Sequence, residues 1–178
     1  DLSGLTPPAD RPLSDFVGDT MESLSNRIVE DLRELPFPVV SAVNGPCAGA
    51  GVGVALAADL VIAARSAYFY LPFLPRLGIV PDLGTTWFLE RAIGRQRAMA
   101  LTLLGDRLGA EQALAWGLAH AVVDDAELLA QALAVAQRLA RLPAHAALEC
   151  RRAYDAAARR GLAQQLTYEA ERQRELLD

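Results

Sequence analysis

The most constraining stretch of this sequence lies between positions 39 and 59. It opens with Val39-Val40-Ser41-Ala42-Val43 and continues through Asn44-Gly45-Pro46-Cys47-Ala48-Gly49-Ala50-Gly51. It then runs into Val52-Gly53-Val54-Ala55-Leu56-Ala57-Ala58 and Asp59. A short β-branched run bounded by turn residues predicts a buried strand. The glycines predict a tight turn, and the small residues after them predict a helix that packs closely against a neighbour. Such a strand, turn and helix leave main-chain N–H groups free at a helix N-terminus, where they can hold a negative oxygen. Three chemistries use that arrangement. A phosphate-binding P-loop needs Gly-Lys-Ser/Thr, and all 17 basic residues here are arginine. A dinucleotide site needs GxGxxG with an acidic residue about 20 positions on; the glycines fall at 45, 49, 51 and 53, and Asp59 comes too early. An oxyanion hole needs only a free N–H and close backbone approach. A purely structural turn packing small residues is the other reading.

The remaining pattern sets the class. Residues 1–12 read as a proline-rich loop. Ser14 can cap a helix over 14–35, with Val17, Met21, Leu24, Ile28 and Leu32 as one apolar stripe, ended by Pro36 and Pro38. Residues 59–64, 68–70 and 119–123 read as further strands. Residues 72–81, with three prolines, read as irregular. Helices are predicted at 84–93, 97–104, 110–116, 128–142, 144–160 and 162–177. Strands alternate with helices early and helices alone fill the end, which predicts an α/β core over 1–125 and a helical region over 126–178.

Composition narrows the functions available. With 178 residues, 52% of them hydrophobic and 22% charged, the chain is globular rather than disordered. A net charge of -5 leaves no basic surplus for phosphates, so no nucleic-acid partner is expected. Cys47 and Cys150 lie far apart, which suits a reducing compartment. Cys47 beside the glycine turn reads as inert packing, having no histidine near it in sequence. His120 and His145 make no metal-site spacing and read as structural or exposed. Without lysine, Schiff-base chemistry is excluded. No apolar run approaches the roughly 20 residues of a membrane span, and the acidic, proline-rich start is unlike a signal peptide. A soluble, cytoplasmic protein without a membrane partner is expected. Asp59 reads as a hydrogen-bonding group, and Glu90 and Arg91 as a solvated helix face.

Residues 38–45, Ala48-Gly49-Ala50-Gly51 and Leu56-Ala57-Ala58-Asp59 resemble the core signature of the enoyl-CoA hydratase/isomerase (crotonase) family. Further matches follow in order: Leu77-Gly78-Ile79-Val80-Pro81-Asp82, Gly84-Thr85-Thr86, Gly94-Arg95, residues 103–108, and Ala113 with Trp116-Gly117-Leu118. The Gly-Ala-Gly and Val-Pro-Asp segments look like those of isomerase members that act in phenylacetyl-CoA degradation. The resemblance implies a crotonase-like (ClpP/crotonase) spiral of ββα units with a helical C-terminal trimerisation region. Asp1-Leu2 resembles the end of the family's Gly-x-Asp-Leu motif. The spiral is therefore expected to be N-terminally incomplete, without the segment that in the family supplies the first strands and one oxyanion donor.

The resemblance also implies a chemistry: an acyl-thioester carbonyl is polarised so that its α-carbon can carry enolate charge. It places one oxyanion donor on the Ala50 N–H, within the turn Gly49-Ala50-Gly51. The two glutamates that hydratases use fall on Gly53 and on Phe73 or Leu74, none of which can ionise. Asp82 remains as the single acid/base, enough to remove a proton and return it elsewhere, which is isomerisation. Its alternative role is to N-cap the following helix. As a catalyst it is expected in an apolar pocket against Trp87 or Phe73, with a raised pKa; Gly53, Phe73, Leu74 and Trp87 are the expected substrate-binding residues. The expected partner is an acyl-CoA, with CoA arriving as part of the substrate and no metal or redox cofactor. A homotrimer or dimer of trimers is expected, helped by the C-terminal stripe of Leu162, Leu166, Ala170 and Leu176-Leu177. Two other readings stand: a hydratase or thioesterase using water held by Asp82, and a non-catalytic, oligomeric scaffold.

Overall fold

The structure, a computed structural model, describes residues 10–178. The expectations for Asp1-Leu2 and for most of the N-terminal loop lie outside the described residues. The first helical stretch comprises α1 (Leu13–Thr20), a π-helical turn (Met21–Ser25) and α2 (Asn26–Glu34). Pro12, not Ser14, stands at the N-cap; its carbonyl accepts the Phe16 N–H (3.1 Å) and no side chain caps the helix. Proline suits that boundary because its φ is already fixed and it has no N–H to satisfy. The π turn inserts extra backbone relative to the α period, and beyond it the buried position is Val29. Leu24 and Ile28 of the expected stripe are exposed.

The central coil follows: β1 (Val40–Val43), β2 (Pro46–Ala48), α3 (Ala50–Leu56), β3 (Leu60–Ala64) and β4 (Tyr68–Tyr70). A π turn (Phe73–Leu77) leads to α4 (Thr85–Leu104), β5 (Leu108–Gly109), α5 (Ala110–Trp116) and β6 (Ala121–Val123). Two three-stranded sheets result, ordered β1-β3-β6 and β2-β4-β5. Pairings in the first sheet are parallel, with Val40 beside Leu60 and Ile62 beside Ala121. In the second, β2 runs parallel to β4 and β4 antiparallel to β5. The turns β1-β2-α3 and β3-β4-α4 thus each give one strand to each sheet before a helix closes them, the expected ββα spiral, whereas α5 separates β5 from β6 in the last turn. The sequence predicts a turn at β2, since Gly-Pro-Cys-Ala carries little strand propensity; it is a strand because Tyr68–Tyr70 lies alongside, with Pro46 as its first residue.

Small residues let these layers close. Val52, Ala63, Ala64, Phe69 and Leu71 are fully buried, and Ile62 and Leu89 nearly so. Burying side chains of the larger kind contributes roughly 1.5–3 kcal/mol each. Gly94 (φ 76°, ψ 158°) breaks α4 between the two expected helices, in a conformation nearly confined to glycine.

The chain ends with α6 (Leu128–Leu139), α7 (Ala144–Ala157) and α8 (Leu162–Leu177). Leu128 and Ala132 of α6 join the same core. α7 and α8 form a hairpin, and Arg151 of α7 ties it to the body. Its Nε and Nη2 donate to the two oxygens of Asp59 (2.8 and 2.6 Å). The remaining donors reach the main-chain carbonyls of Arg33 (2.6 Å), Leu35 (2.9 Å) and Phe37 (3.0 Å). Beside it Arg33 donates to Asp155 (2.5 Å).

Candidate active site

The glycine turn is built as its residues require. Gly49 takes φ 57° and ψ −131°, a conformation most side chains avoid, and its N–H donates to the Tyr70 carbonyl (2.9 Å). That bond fastens the end of β2 to β4. α3 begins at Ala50, and the Val52 N–H turns back to the Gly49 carbonyl (3.0 Å). Among the described residues nothing accepts a hydrogen bond from the N–H of Ala50 or Gly51. Phe73 is buried, with its ring tip 3.8 Å from where a Cβ on Gly49 would stand, whereas Leu74 is exposed.

Gly53 lies one turn further along α3 and is covered by the segment after Asp82. A Cβ there would stand 2.4 Å from the Leu83 carbonyl oxygen, 2.9 Å from the Thr85 hydroxyl and 3.0 Å from the Leu83 Cβ. Leu83 is buried at φ 48°, the one positive φ outside glycine among the described residues. At this position, where the family resemblance implies a glutamate in hydratases, there is no room here even for a methyl group.

Asp82 opens this segment. Its main-chain carbonyl accepts the Thr85 N–H (2.9 Å), but Gly84 stands at the N-cap of α4 and no side chain caps that helix. The expected alternative, a capping carboxylate, is therefore not what Asp82 does. Its Oδ1 is buried without a hydrogen-bond partner among the described residues. Burial raises the carboxyl above its ordinary 3.8, and its own main-chain N–H offsets only part of that rise. Thr85, wholly buried, also has a hydroxyl without a partner.

Trp87 faces elsewhere. It meets Phe88 edge to face (5.0 Å between centroids), with the Arg91 guanidinium 3.8 Å over its ring and that of Arg33 6.0 Å away. It lines a cavity of about 500 Å³ with Val29, Arg33, Gly84, Phe88 and Asp155. Neither Asp82 nor Phe73 belongs to that lining, nor to a second cavity of about 540 Å³ between Asp59, Arg91 and His120.

The other reactive side chains stay out of this site. Burial pushes the Cys47 thiol up to about 11, so it is not a nucleophile near neutral pH. His120 and His145 are exposed, as are Glu90 and Arg91. Asp59 is structural: burial favours its neutral form, but the hydrogen bonds from Arg151 and the Val39 N–H, with the charges of Arg151 and Arg33, prevail and hold its pKa below 3.8. Arg151 itself carries no signal in the sequence, where it is one arginine on an Ala-rich helix. Among the described residues, no His, Cys, Asp and Glu cluster could hold a metal ion, and no helix is long and apolar enough to cross a membrane.

Comparison with known proteins bears on the fold and the family. The enoyl-CoA hydratase/isomerase family matches residues 18–178. The 1,2-epoxyphenylacetyl-CoA isomerase of Escherichia coli K12 is 46% identical over 158 residues, covering 89% of this chain and 60% of that protein. A crystal structure of an enoyl-CoA hydratase/isomerase from Cupriavidus metallidurans CH34 superposes with a TM-score of 0.86 at 31% identity, covering 96% of this chain and 63% of the other. An enoyl-CoA hydratase structure from Mycobacterium avium subsp. paratuberculosis K-10 is 42% identical, with a TM-score of 0.71, covering 86% and 64%. The chain thus spans about three-fifths of the length of these relatives and shares their crotonase fold. With a spiral of ββα turns, a glycine turn of free amides and this match along nearly its whole length, the chain belongs to the enoyl-CoA hydratase/isomerase family.

Proposed function

We propose that this chain carries the acid/base half of an acyl-CoA isomerase site, shifting a double bond or rearranging an epoxide in an acyl-CoA. The observation that carries the reading is Asp82: a half-buried carboxyl with one oxygen unpartnered and no part in capping the helix after it. In a 3-enoyl-CoA the Asp82 carboxylate takes a proton from the α-carbon, and the electron pair moves into the thioester as a dienolate. The Ala50 N–H donates to the thioester oxygen as it gains charge. The protonated Asp82 then returns its proton at the γ-carbon, leaving a conjugated 2-enoyl-CoA and the carboxylate restored. One such oxyanion donor contributes about 3 kcal/mol of barrier lowering. The shift is redox neutral and CoA comes with the substrate. Adding water would call for a second ionisable group, and Gly53 and Phe73 or Leu74 supply none. The similarity to the epoxyphenylacetyl-CoA isomerase supports an unsaturated or epoxidised acyl group, and the exposed leucines of α8 support a homotrimer or dimer of trimers.

The test is a 3-enoyl-CoA incubation in which conjugation at the thioester is followed by ultraviolet absorbance. The wild-type chain is expected to raise the signal, and Asp82→Asn to abolish it without lowering the melting temperature. Turnover retained in Asp82→Asn would overturn the reading, and a wild-type chain without turnover would leave the oligomeric scaffold in its place.

A further inference from the structure

Resting on the role proposed for Asp82, one contact in the fold has no part in the chemistry yet governs where that chemistry can occur. Ala50 and Gly53 sit three residues apart on α3, so they share one face of the helix about 4.5 Å apart along its axis. The free Ala50 N–H points along the axis, out of the N-terminal end of α3. The face at Gly53 is occupied by the Leu83 carbonyl and the Thr85 hydroxyl, closer than any side chain would permit. Leu83 adopts φ 48° to make that approach, followed by Gly84 at φ 72°. Asp82 is bonded directly to Leu83, and its carbonyl is tied to the Thr85 N–H, so the acid rides on the segment pressed onto α3.

We infer that Gly53 is a positioning residue for Asp82. Having no side chain, it lets residues 83–85 seat on α3 and so fixes the acid's distance from the Ala50 N–H. A methyl group at 53 meets backbone, the Leu83 oxygen, rather than the end of a flexible chain. The segment must lift, and the carboxyl lifts with it. Position 53 is then not merely without chemistry in this chain: its emptiness is what seats Asp82.

The experiment compares wild type, Gly53→Ala and Asp82→Asn as full chains. It measures steady-state turnover of a 3-enoyl-CoA and the ¹³C NMR titration of the Asp82 carboxyl, assigned by its loss in Asp82→Asn. Gly53→Ala is expected to lower kcat by about 10²-fold with little change in KM, the scale of a misplacement near 1 Å. It is also expected to displace the Asp82 titration midpoint, which a merely structural glycine would leave in place. A folded Gly53→Ala with wild-type kcat and a superimposable titration curve overturns the inference. If Asp82→Asn keeps turnover, the functional reading itself falls, while the titration still decides whether Gly53 sets the carboxyl's surroundings. Should Gly53→Ala not fold, Thr85→Ile adds bulk to the same contact from the opposite side and should lift the segment in its place. A displaced Asp82 midpoint then supports the inference and an unmoved one overturns it.

Discussion

Burial favours the neutral form of the Asp82 carboxyl, and that has a measurable sign. Its folded-state pKa lies above its unfolded value, so the native state prefers the neutral acid, and folding is penalised at every pH above the raised value. Asp82→Asn removes the penalty. The variant is expected to melt higher than wild type at pH 7, and the advantage to vanish as pH falls below the ordinary carboxylate value of 3.8. Differential scanning calorimetry from pH 3.5 to 8 checks this, and a lower melting temperature at pH 7 would contradict it. The two thiols behave oppositely to one another. Cys47 is buried with its pKa pushed up to about 11, while Cys150 is exposed. Iodoacetamide at pH 8 is expected to label Cys150 alone on the native chain, read by peptide mass spectrometry. Much of this was legible in the sequence, because Asp82 and Gly53 stand within segments whose order is distinctive. The strain at Leu83 was not, since a leucine at positive φ arises from packing against Gly53, a neighbour some thirty positions away.

Helices and strands differ in how far their own residues decide them. α5 and α8 fall where their sequence predicts, and β1 and β3 nearly so, because hydrophobic period and flanking glycines are local signals. β2 was not legible: three residues starting with proline become a strand only through β4 beside them. Nor was the link from α7 to the body, where Arg151 uses all its donors on Asp59 and three carbonyls. Arg151→Met leaves those acceptors unpaired and is expected to cost about 3 kcal/mol at pH 7, measured by urea unfolding. Asp59 has a lowered pKa, so its contribution is present above 3.8 and is lost as pH falls through the lowered value. The gap between Arg151→Met and wild type should therefore narrow in strong acid. In α4, a Cβ on Gly94 would meet nothing within 4 Å, so Gly94→Ala isolates backbone strain; roughly 1–3 kcal/mol is expected from thermal melts.

Across the molecule, large apolar side chains stand exposed both on the coil, as at Leu77, Val80 and Leu104, and on the helices that follow it. Leu129 and Leu133 of α6, Tyr154 of α7, and Leu162, Leu166 and Leu177 of α8 are all exposed on the helical end of the chain. Sedimentation equilibrium is expected to show assemblies heavier than the 19.1 kDa chain, and Leu166→Glu to shift them toward that mass. The order of the two sheets has a further outcome. β3 and β4 are the central strands of both, and they follow one another in sequence over 60–70. Among the described residues, β1 and β2 find their partners within that one stretch, β1 on β3 and β2 on β4. Damage anywhere in it is therefore felt by both layers at once, rather than by one alone.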